Sequence, residues 1–217
     1  MNHPWCWIYR NYMLLAILLI LVYIAGAFLV PVFQYYGFNI PANIGYRFYS
    51  TVCHQFAFRS WFLFGDQSFY PLNKAGVQTD GTYEEISGNS PQDIESARQF
   101  KGNADMGYKI ALCQRDVAIF TGLLFSAVGF VIWKRKWQTI PVVLWIVLGV
   151  MPIFLDGISQ LGGSNLPFFN MISARESNPA MRTLTGLLFG VTTGLYLFPK
   201  LENVMKIIKI NHRCEEK

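Results

Sequence analysis

The chain contains four long apolar runs, and each run predicts a membrane-spanning helix. The runs occupy residues 13–30, 117–133, 140–155 and 183–198. The last three have 16 or 17 residues and would cover about 25 Å as helices, whereas bilayer hydrocarbon is about 30 Å thick. Each of these helices should therefore extend into its polar flanks. We predict spans at about 12–33, 113–133, 139–156 and 180–198 within a single membrane domain, residues 1–217.

A different pattern follows the first span. Apolar residues recur at every fourth position and form one stripe of a helix: Ile44, Phe48, Val52 and Phe56. Charged residues interrupt the same stretch, which disfavours full insertion into the bilayer. We therefore predict a helix over residues 42–64 that lies in the outer membrane interface.

Residues 66–107 are polar and rich in Gly, Ser and Asn. This composition predicts an extracytoplasmic insert. A short helix is expected near residues 91–101, because Ser90 and Pro91 form a helix-start pattern. The elements together predict an all-α fold, a polytopic membrane helix bundle with about four transmembrane helices, an outer interfacial helix and the polar insert.

The distribution of Lys and Arg predicts the orientation of the spans. One side would hold residues 1–11, 134–138 and the basic tail 199–217, and these 35 residues carry nine Lys and Arg. The other side would hold 110 residues with the same number. Because short basic segments favour the cytoplasm, we predict the cytoplasmic (inner) membrane as the location, with both termini in the cytoplasm.

Small residues recur every four positions on the last span, at Gly186, Gly190 and Gly194. Such spacing lets another helix approach closely, and Gly122 and Ser126 offer a matching surface on the second span. The pattern predicts helix contacts, and the glycine face of the last span could also join copies of the chain in a homo-oligomer.

The composition agrees with a membrane protein. Hydrophobic residues make up 53% of the chain and charged residues 14%, against about a quarter charged in soluble domains. The net charge of +5 lies mainly near the span ends. We expect the lipid bilayer as partner and no nucleic acid, because the sequence has no basic stripe with interleaved aromatic residues.

Polar and ionisable residues lie at one common depth, the outer ends of the predicted spans. They are Cys113, Arg115 and Asp116 on the second span, Asp156 and Gln160 on the third, and Glu176 and Arg182 at the start of the fourth. Ionisable residues at bilayer depth are costly unless they are paired or hydrated. One interpretation is a lattice of ion pairs, such as Arg115–Asp156 or Arg182–Asp116, and the other is a polar chamber.

A polar chamber would suit an anionic or lipid-linked ligand, because guanidinium groups bind phosphate and carboxylate bidentately. Four arginines (Arg59, Arg115, Arg175 and Arg182) outnumber the three nearby acids (Asp116, Asp156 and Glu176). The predicted ligand-binding residues are Arg59, Arg115, Arg182 and Gln160. Histidine exchanges protons near neutral pH, and carboxyl groups serve as acids, bases or orienting groups. The candidate catalytic residues are His54, Asp156 and Glu176.

Two cysteines, Cys53 and Cys113, are predicted on the outer side, where an oxidising compartment favours a disulfide between them. The second interpretation is a zinc site, with Cys53, His54 and Cys113 as ligands and Asp116 or, as an alternative, Asp156 as the fourth. Neighbouring residues point about 100° apart on a helix, so Cys53 and His54 would bind one ion only where the backbone is irregular. A cysteine nucleophile is the third interpretation.

Four motifs occur in order along the chain: CHQ…RS from Cys53, CQRD from Cys113, DG..Q from Asp156 and RESN from Arg175. This set resembles a bacterial and archaeal family of small predicted integral-membrane proteins catalogued as a domain of unknown function. The resemblance covers most of residues 42–195 and implies where a site lies. Many members of that family read Cys-x-Arg-Cys where this chain ends the motif with Asp116, so the chain departs from them at a candidate metal or dithiol position.

Three classes of function follow from these observations. The first is a membrane-embedded enzyme or binding protein with an outward-facing polar site. The second is an oligomeric transporter or channel component, although four spans are few for a carrier and no inverted repeat is visible. The third is an accessory or structural subunit of a membrane complex, with the insert as a docking surface.

Overall fold

The computed structural model describes residues 4–90, 93–160 and 176–211. In chain order, the helices are α1 (Pro4–Tyr35), α2 (Asn39–Tyr49), α3 (Tyr83–Ser87), α4 (Ile94–Gln99), α5 (Gln114–Ile132), α6 (Val142–Trp145), α7 (Met151–Ser159) and α8 (Pro179–Asn211). The strands are β1 (Ser60–Leu63), β2 (Gly102–Asn103) and β3 (Gly107–Cys113). Short 3-10 helices occupy Ala57–Arg59 and Asn73–Ala75, and a π-helical turn, Ile146–Val150, joins α6 to α7.

Four helical segments in the described residues are long and apolar enough to cross a membrane: Cys6–Tyr35, Gln114–Ile132, Val142–Ser159 and Pro179–Asn211. The prediction of an all-α polytopic fold with four spans is therefore confirmed. Lipid explains why these runs are helical, since a helix satisfies all of its backbone hydrogen bonds within its own segment. The first and last of these helices run well beyond their apolar stretches.

The centre of the bundle is the contact between α5 and α8, which is built from small residues. A Cβ added to Gly190 would lie 2.1 Å from the backbone oxygen of Ile119, and one added to Gly122 would lie 2.7 Å from that of Leu187. The predicted helix contact is thus confirmed. The glycine face of α8 is covered by α5 of the same chain, and the homo-oligomer stays a prediction.

The two ends of the bundle have separate clusters of buried side chains. At one end, Tyr12 of α1 packs with Phe130 of α5 and Phe198 of α8. At the other end, Ala27 of α1 packs beside Cys53 and β3. The described chain ends therefore lie at the same end of the bundle, away from the sheet. That this end faces the cytoplasm stays a prediction.

The predicted helix over residues 42–64 was only partly right. The helix α2 ends at Tyr49, where the side chains of Ser50 and Thr51 donate hydrogen bonds back to the carbonyls of Arg47 and Phe48. Ser and Thr side chains of this kind compete with continued helix. The chain then passes through an irregular loop to β1.

A small antiparallel sheet, which the sequence patterns did not predict, has the strand order β1-β3-β2. Ser60 at the start of β1 pairs with Cys113 at the end of β3. Strand β3 leads directly into the first residue of α5. The sheet therefore fixes the first motif segment against the start of the second span.

The polar insert, residues 66–107, has a core of its own. Tyr70, Tyr83 and Met106 are fully buried there with Phe62 of β1. The helix predicted near residues 91–101 is present as α4, but its N-cap is Asp93, whose side chain accepts a hydrogen bond from the backbone of Ser96. Residues 91 and 92 lie outside the described residues.

The basic tail predicted at residues 199–217 is helical as far as Asn211, and Pro199 lies inside α8. Buried contacts explain the continuation. Tyr12 donates a hydrogen bond of 2.5 Å to Glu202, and Arg135 lies 3.8 Å from the same carboxylate. Residues 212–217 are outside the described part of the chain.

Candidate functional site

The first motif reaches the site through an irregular loop between α2 and β1. Gln55 adopts a left-handed backbone conformation with φ of 55°. Its side-chain amide donates to the carbonyls of Tyr46 and Ala111 at 3.0 and 2.8 Å. These bonds tie the loop to both α2 and β3, so Cys53 is held at the end of the sheet.

The second motif spans the junction of β3 and α5. Cys113 is the last residue of the strand, and Asp116 lies in the first turn of the helix. The backbone N–H of Cys113 donates to the sulfur of Cys53 at 3.3 Å. The thiol of Cys113 donates to Asp116 Oδ2 at 3.2 Å. The two cysteines and the carboxylate therefore form one cluster.

The cluster has the dimensions of a metal site. One candidate ligand atom from each of Cys53, Cys113 and Asp116 lies within 4.8 Å of the other two. Both cysteines are free thiols, so the predicted disulfide was wrong. The Cys113 thiol is directed to a carboxylate instead. Hydrogen bonding to Cys113, followed by burial, raises the pKa of the Cys53 thiol well above its ordinary value.

His54 is not part of this cluster in the described structure. It is solvent-exposed, and its ring stacks on Phe56 at a centroid distance of 5.5 Å. The backbone is irregular at this point, as a shared site would require, but no ring nitrogen of His54 belongs to the group of ligand atoms that lie within 4.8 Å of one another. Three of the four ligands that the sequence predicted for zinc are thus brought together.

The arginines are held by two sets of ion pairs. Arg115 pairs with Asp156, as one sequence interpretation predicted. Glu176 accepts hydrogen bonds from Arg59 at 2.8 and 3.0 Å and also pairs with Arg182. The suggested pair of Arg182 with Asp116 was wrong, because the segment before α8 brings Glu176 to Arg182 instead.

Arg182 is the most deeply buried cation of the site, with 2% of its side chain exposed. Besides Glu176, it donates to the side-chain oxygen of Gln114 at 3.3 Å and to the carbonyl of Phe58 at 3.4 Å. Gln114, which was not among the predicted site residues, also donates to the carbonyl of Ser60. Its place inside the CQRD motif was the available signal.

The thiol cluster and the arginines line one cavity of about 200 Å³. Its polar lining residues are Cys53, His54, Gln55, Arg59, Cys113, Arg115, Asp116, Gln160 and Arg182. Two buried nitrogens, Nε of Arg115 and Nε of Arg182, have no hydrogen-bond partner in the described structure. Asp156 and Glu176 form ion pairs with Arg115 and Arg182. The side chain of Gln160 donates a hydrogen bond to the carbonyl of Asp156. Arg175, the first residue of the RESN motif, lies outside the described residues.

Comparisons with known proteins agree with this architecture. Residues 104–196 match the profile of a family described as "Predicted membrane protein (DUF2085)". The uncharacterized protein MJ1492 of Methanocaldococcus jannaschii is 25% identical over 196 residues, which are 88% of this chain and 92% of that protein. No solved structure matches the chain. The family resemblance that the sequence motifs predicted is therefore confirmed. The chain is similar to the predicted membrane proteins of DUF2085 over residues 104–196, which include Cys113, Asp156 and Arg182.

Proposed function

We propose that this chain is an integral membrane protein that binds a zinc ion in a pocket on the extracytoplasmic side. The observation that carries the proposal is the group of three candidate ligand atoms, from Cys53, Cys113 and Asp116, within 4.8 Å of one another. Thiolate sulfur and carboxylate oxygen are both ordinary zinc ligands, and sulfur favours zinc over magnesium or calcium.

The ligand set has the form of an open zinc site. Three protein ligands leave a fourth position for water or a ligand, as in catalytic zinc sites. In this chain that position would face the cavity of about 200 Å³. The departure from the family's Cys-x-Arg-Cys pattern is compatible with zinc, because the carboxylate of Asp116 takes the place of a thiolate.

Zinc also suits the buried thiol of Cys53. The hydrogen bond with Cys113, followed by burial, raises the pKa of Cys53, and a thiolate at this position would need a cation beside it. A zinc ion supplies that charge and displaces the proton. Zinc binding should therefore release protons and weaken at acid pH.

A second candidate function is the binding of a small anion beside the metal. The observation that favours it is the pair of unpartnered, buried Nε groups on Arg115 and Arg182 in the cavity wall. Such groups are costly to leave without an acceptor, and a phosphate or carboxylate oxygen would satisfy them. Arg59 and Gln160 also line the cavity and would contact the same ligand.

The predicted catalytic residues take different places in this proposal. Asp156 and Glu176 are occupied as partners of the arginines and would orient them. His54 lies exposed in the cavity wall and is the group that would transfer protons to or from a bound ligand. An enzymatic reaction would require the zinc position and His54 together.

Metal analysis of the purified chain tests the first proposal. We expect one zinc per chain after dialysis against zinc, and a thiolate-to-metal charge-transfer band after exchange with cobalt. The variants Cys53→Ser, Cys113→Ser and Asp116→Asn should each weaken binding tenfold or more. His54→Ala is the matched control and should retain the metal. Equal metal content in the wild type and the cysteine variants would contradict the proposal.

Phosphate titration tests the second candidate. The double variant Arg115→Gln/Asp156→Asn removes one ion pair without changing net charge, so it separates anion binding from bulk electrostatics. We expect saturable broadening of the inorganic phosphate signal in phosphorus NMR with the wild type and at least tenfold weaker binding with the variant. Identical titrations would refute the role of Arg115.

A further inference from the structure

A second cavity lies on the other side of the loop that carries the first motif. It has a volume of about 340 Å³ and is bounded by α2, α4 and the start of β3. Its cationic lining residues are Arg47, Arg98, Lys101 and Lys109, and its one acidic lining residue is Glu95. This cavity contains none of the zinc ligands proposed above.

Three of the four cations of this cavity donate hydrogen bonds to neutral groups. Lys109 donates to the carbonyls of Gln55 and Arg98, at 2.6 Å each. Arg98 donates to the carbonyl of Ser50 at 3.3 Å, and Lys101 donates to the side chain of Asn43 at 2.5 Å. Within the described residues, no carboxylate forms an ion pair with any of the four cations.

The charge of the cavity is therefore strongly unbalanced. Glu95 accepts a hydrogen bond from Gln99 at 2.7 Å. Burial lowers the pKa of Lys109 to about 7, and three further basic side chains line the cavity. Clustered cations without counter-ions repel one another, and a bound anion would remove that cost. A phosphate group, with several acceptor oxygens, suits the remaining donors.

The cavity adjoins an apolar helix face. Asn43, Arg47 and Ser50 line the cavity from one side of α2 or its C-terminal end. Ile44 and Phe48, on the neighbouring face of α2, are 64% and 60% exposed. A helix with a cationic side and an exposed apolar side lies in the membrane interface, with the apolar side in contact with acyl chains.

We propose that this cavity binds the phosphate headgroup of an anionic membrane lipid, whose acyl chains lie along the apolar face of α2. Basic residues near a bilayer surface attract anionic lipid headgroups. The cavity at Lys101 and Lys109 would hold the phosphate, while Ile44 and Phe48 would contact the hydrocarbon. A free phosphate offers the same headgroup chemistry without the hydrocarbon contact.

This proposal is independent of the zinc proposal. Gln55 lines both cavities, but the zinc ligands lie only in the first. A wild-type chain that binds zinc without preferring the anionic lipid would refute only the lipid proposal, and one that prefers the lipid but holds no zinc would refute only the zinc proposal.

Native mass spectrometry of the full chain in detergent micelles tests the lipid site. The probes are phosphatidylglycerol, phosphatidylcholine and inorganic phosphate, each titrated separately. The test variants are the double variant Arg98→Gln/Lys101→Gln and the single variant Arg47→Gln, in which only an exposed side chain changes. The matched control is Lys134→Gln/Lys136→Gln, which removes two exposed cations after α5, at the opposite end of the bundle from the cavity.

We expect phosphatidylglycerol to bind the wild type at least tenfold more tightly than phosphatidylcholine. The double variant should lose about tenfold in phosphatidylglycerol affinity, Arg47→Gln should lose about threefold, and the control should keep the wild-type preference. An unchanged preference in both test variants would overturn the proposal. Inorganic phosphate binding as tightly as the lipid would overturn the assignment to a lipid.

Discussion

The ion pairs of Glu176 make the sharpest prediction for stability. Glu176 is 4% exposed and holds both Arg59 and Arg182. The substitution Glu176→Gln keeps the shape but removes the charge, so the buried Arg182 loses its only counter-ion among the described residues. Breaking a buried ion pair from one side costs about 3–5 kcal/mol, and we expect that loss in the free energy of unfolding.

The assay is reversible unfolding in mixed detergent micelles, followed by far-UV circular dichroism. Lys74→Met is the matched control, because Lys74 lies 3.9 Å from Glu176 and is 55% exposed, and exposed pairs contribute about 0–1 kcal/mol. The double variant Glu176→Gln/Arg182→Met should recover part of the loss, since the buried charge of Arg182 is removed together with that of its partner. If Glu176→Gln costs no more than Lys74→Met, Glu176 does not hold Arg182 as described.

Three further predictions concern other parts of the chain. Gly190→Ala should destabilise the bundle by at least about 2 kcal/mol, because its Cβ would lie 2.1 Å from a backbone oxygen of α5. The control Gly157→Ala, whose added Cβ would have its nearest atom at 4.0 Å, should be neutral or stabilising in the same unfolding assay. The folded state lowers the pKa of Lys109 to about 7 from its ordinary 10.5, so the unfolded chain binds more protons between these two pH values. The free energy of unfolding should therefore rise with pH across that window in the wild type but not in Lys109→Met. Equal pH profiles of the two proteins would contradict this. Tyr12→Phe should cost about 1–3 kcal/mol, because Glu202 loses a buried donor at 2.5 Å, and an unchanged melting temperature would contradict that contact.

The spans were predictable because long apolar runs have few alternatives in a bilayer. The pair of Arg115 with Asp156 was predictable for the same reason, since successive spans alternate direction and bring their outer ends together. The contact between Gly190 and α5 followed from spacing on a single helix. Each of these features depends on the regular geometry of a span.

The parts that failed depend on contacts between distant segments. Strand β1 has four residues, and it forms only because β3, some 50 residues later, pairs with Ser60. The apolar residues that recur every fourth position from Ile44 to Phe56 predicted a helix over residues 42–64, and this range includes the strand. The two cysteines are free thiols and not a disulfide because the turn from β3 into α5 directs the thiol of Cys113 to the carboxylate of Asp116. Short irregular segments set both outcomes, and their conformation has no periodic signal.

The central claim is the zinc site, and X-ray absorption at the zinc edge tests it most directly. The zinc-loaded chain should show two sulfur neighbours at about 2.3 Å and oxygen or nitrogen neighbours at about 2.0–2.2 Å. Cys113→Ser should reduce the sulfur count to one. A zinc shell of oxygen and nitrogen alone in the wild type would place the metal elsewhere and contradict the ligand set of Cys53, Cys113 and Asp116.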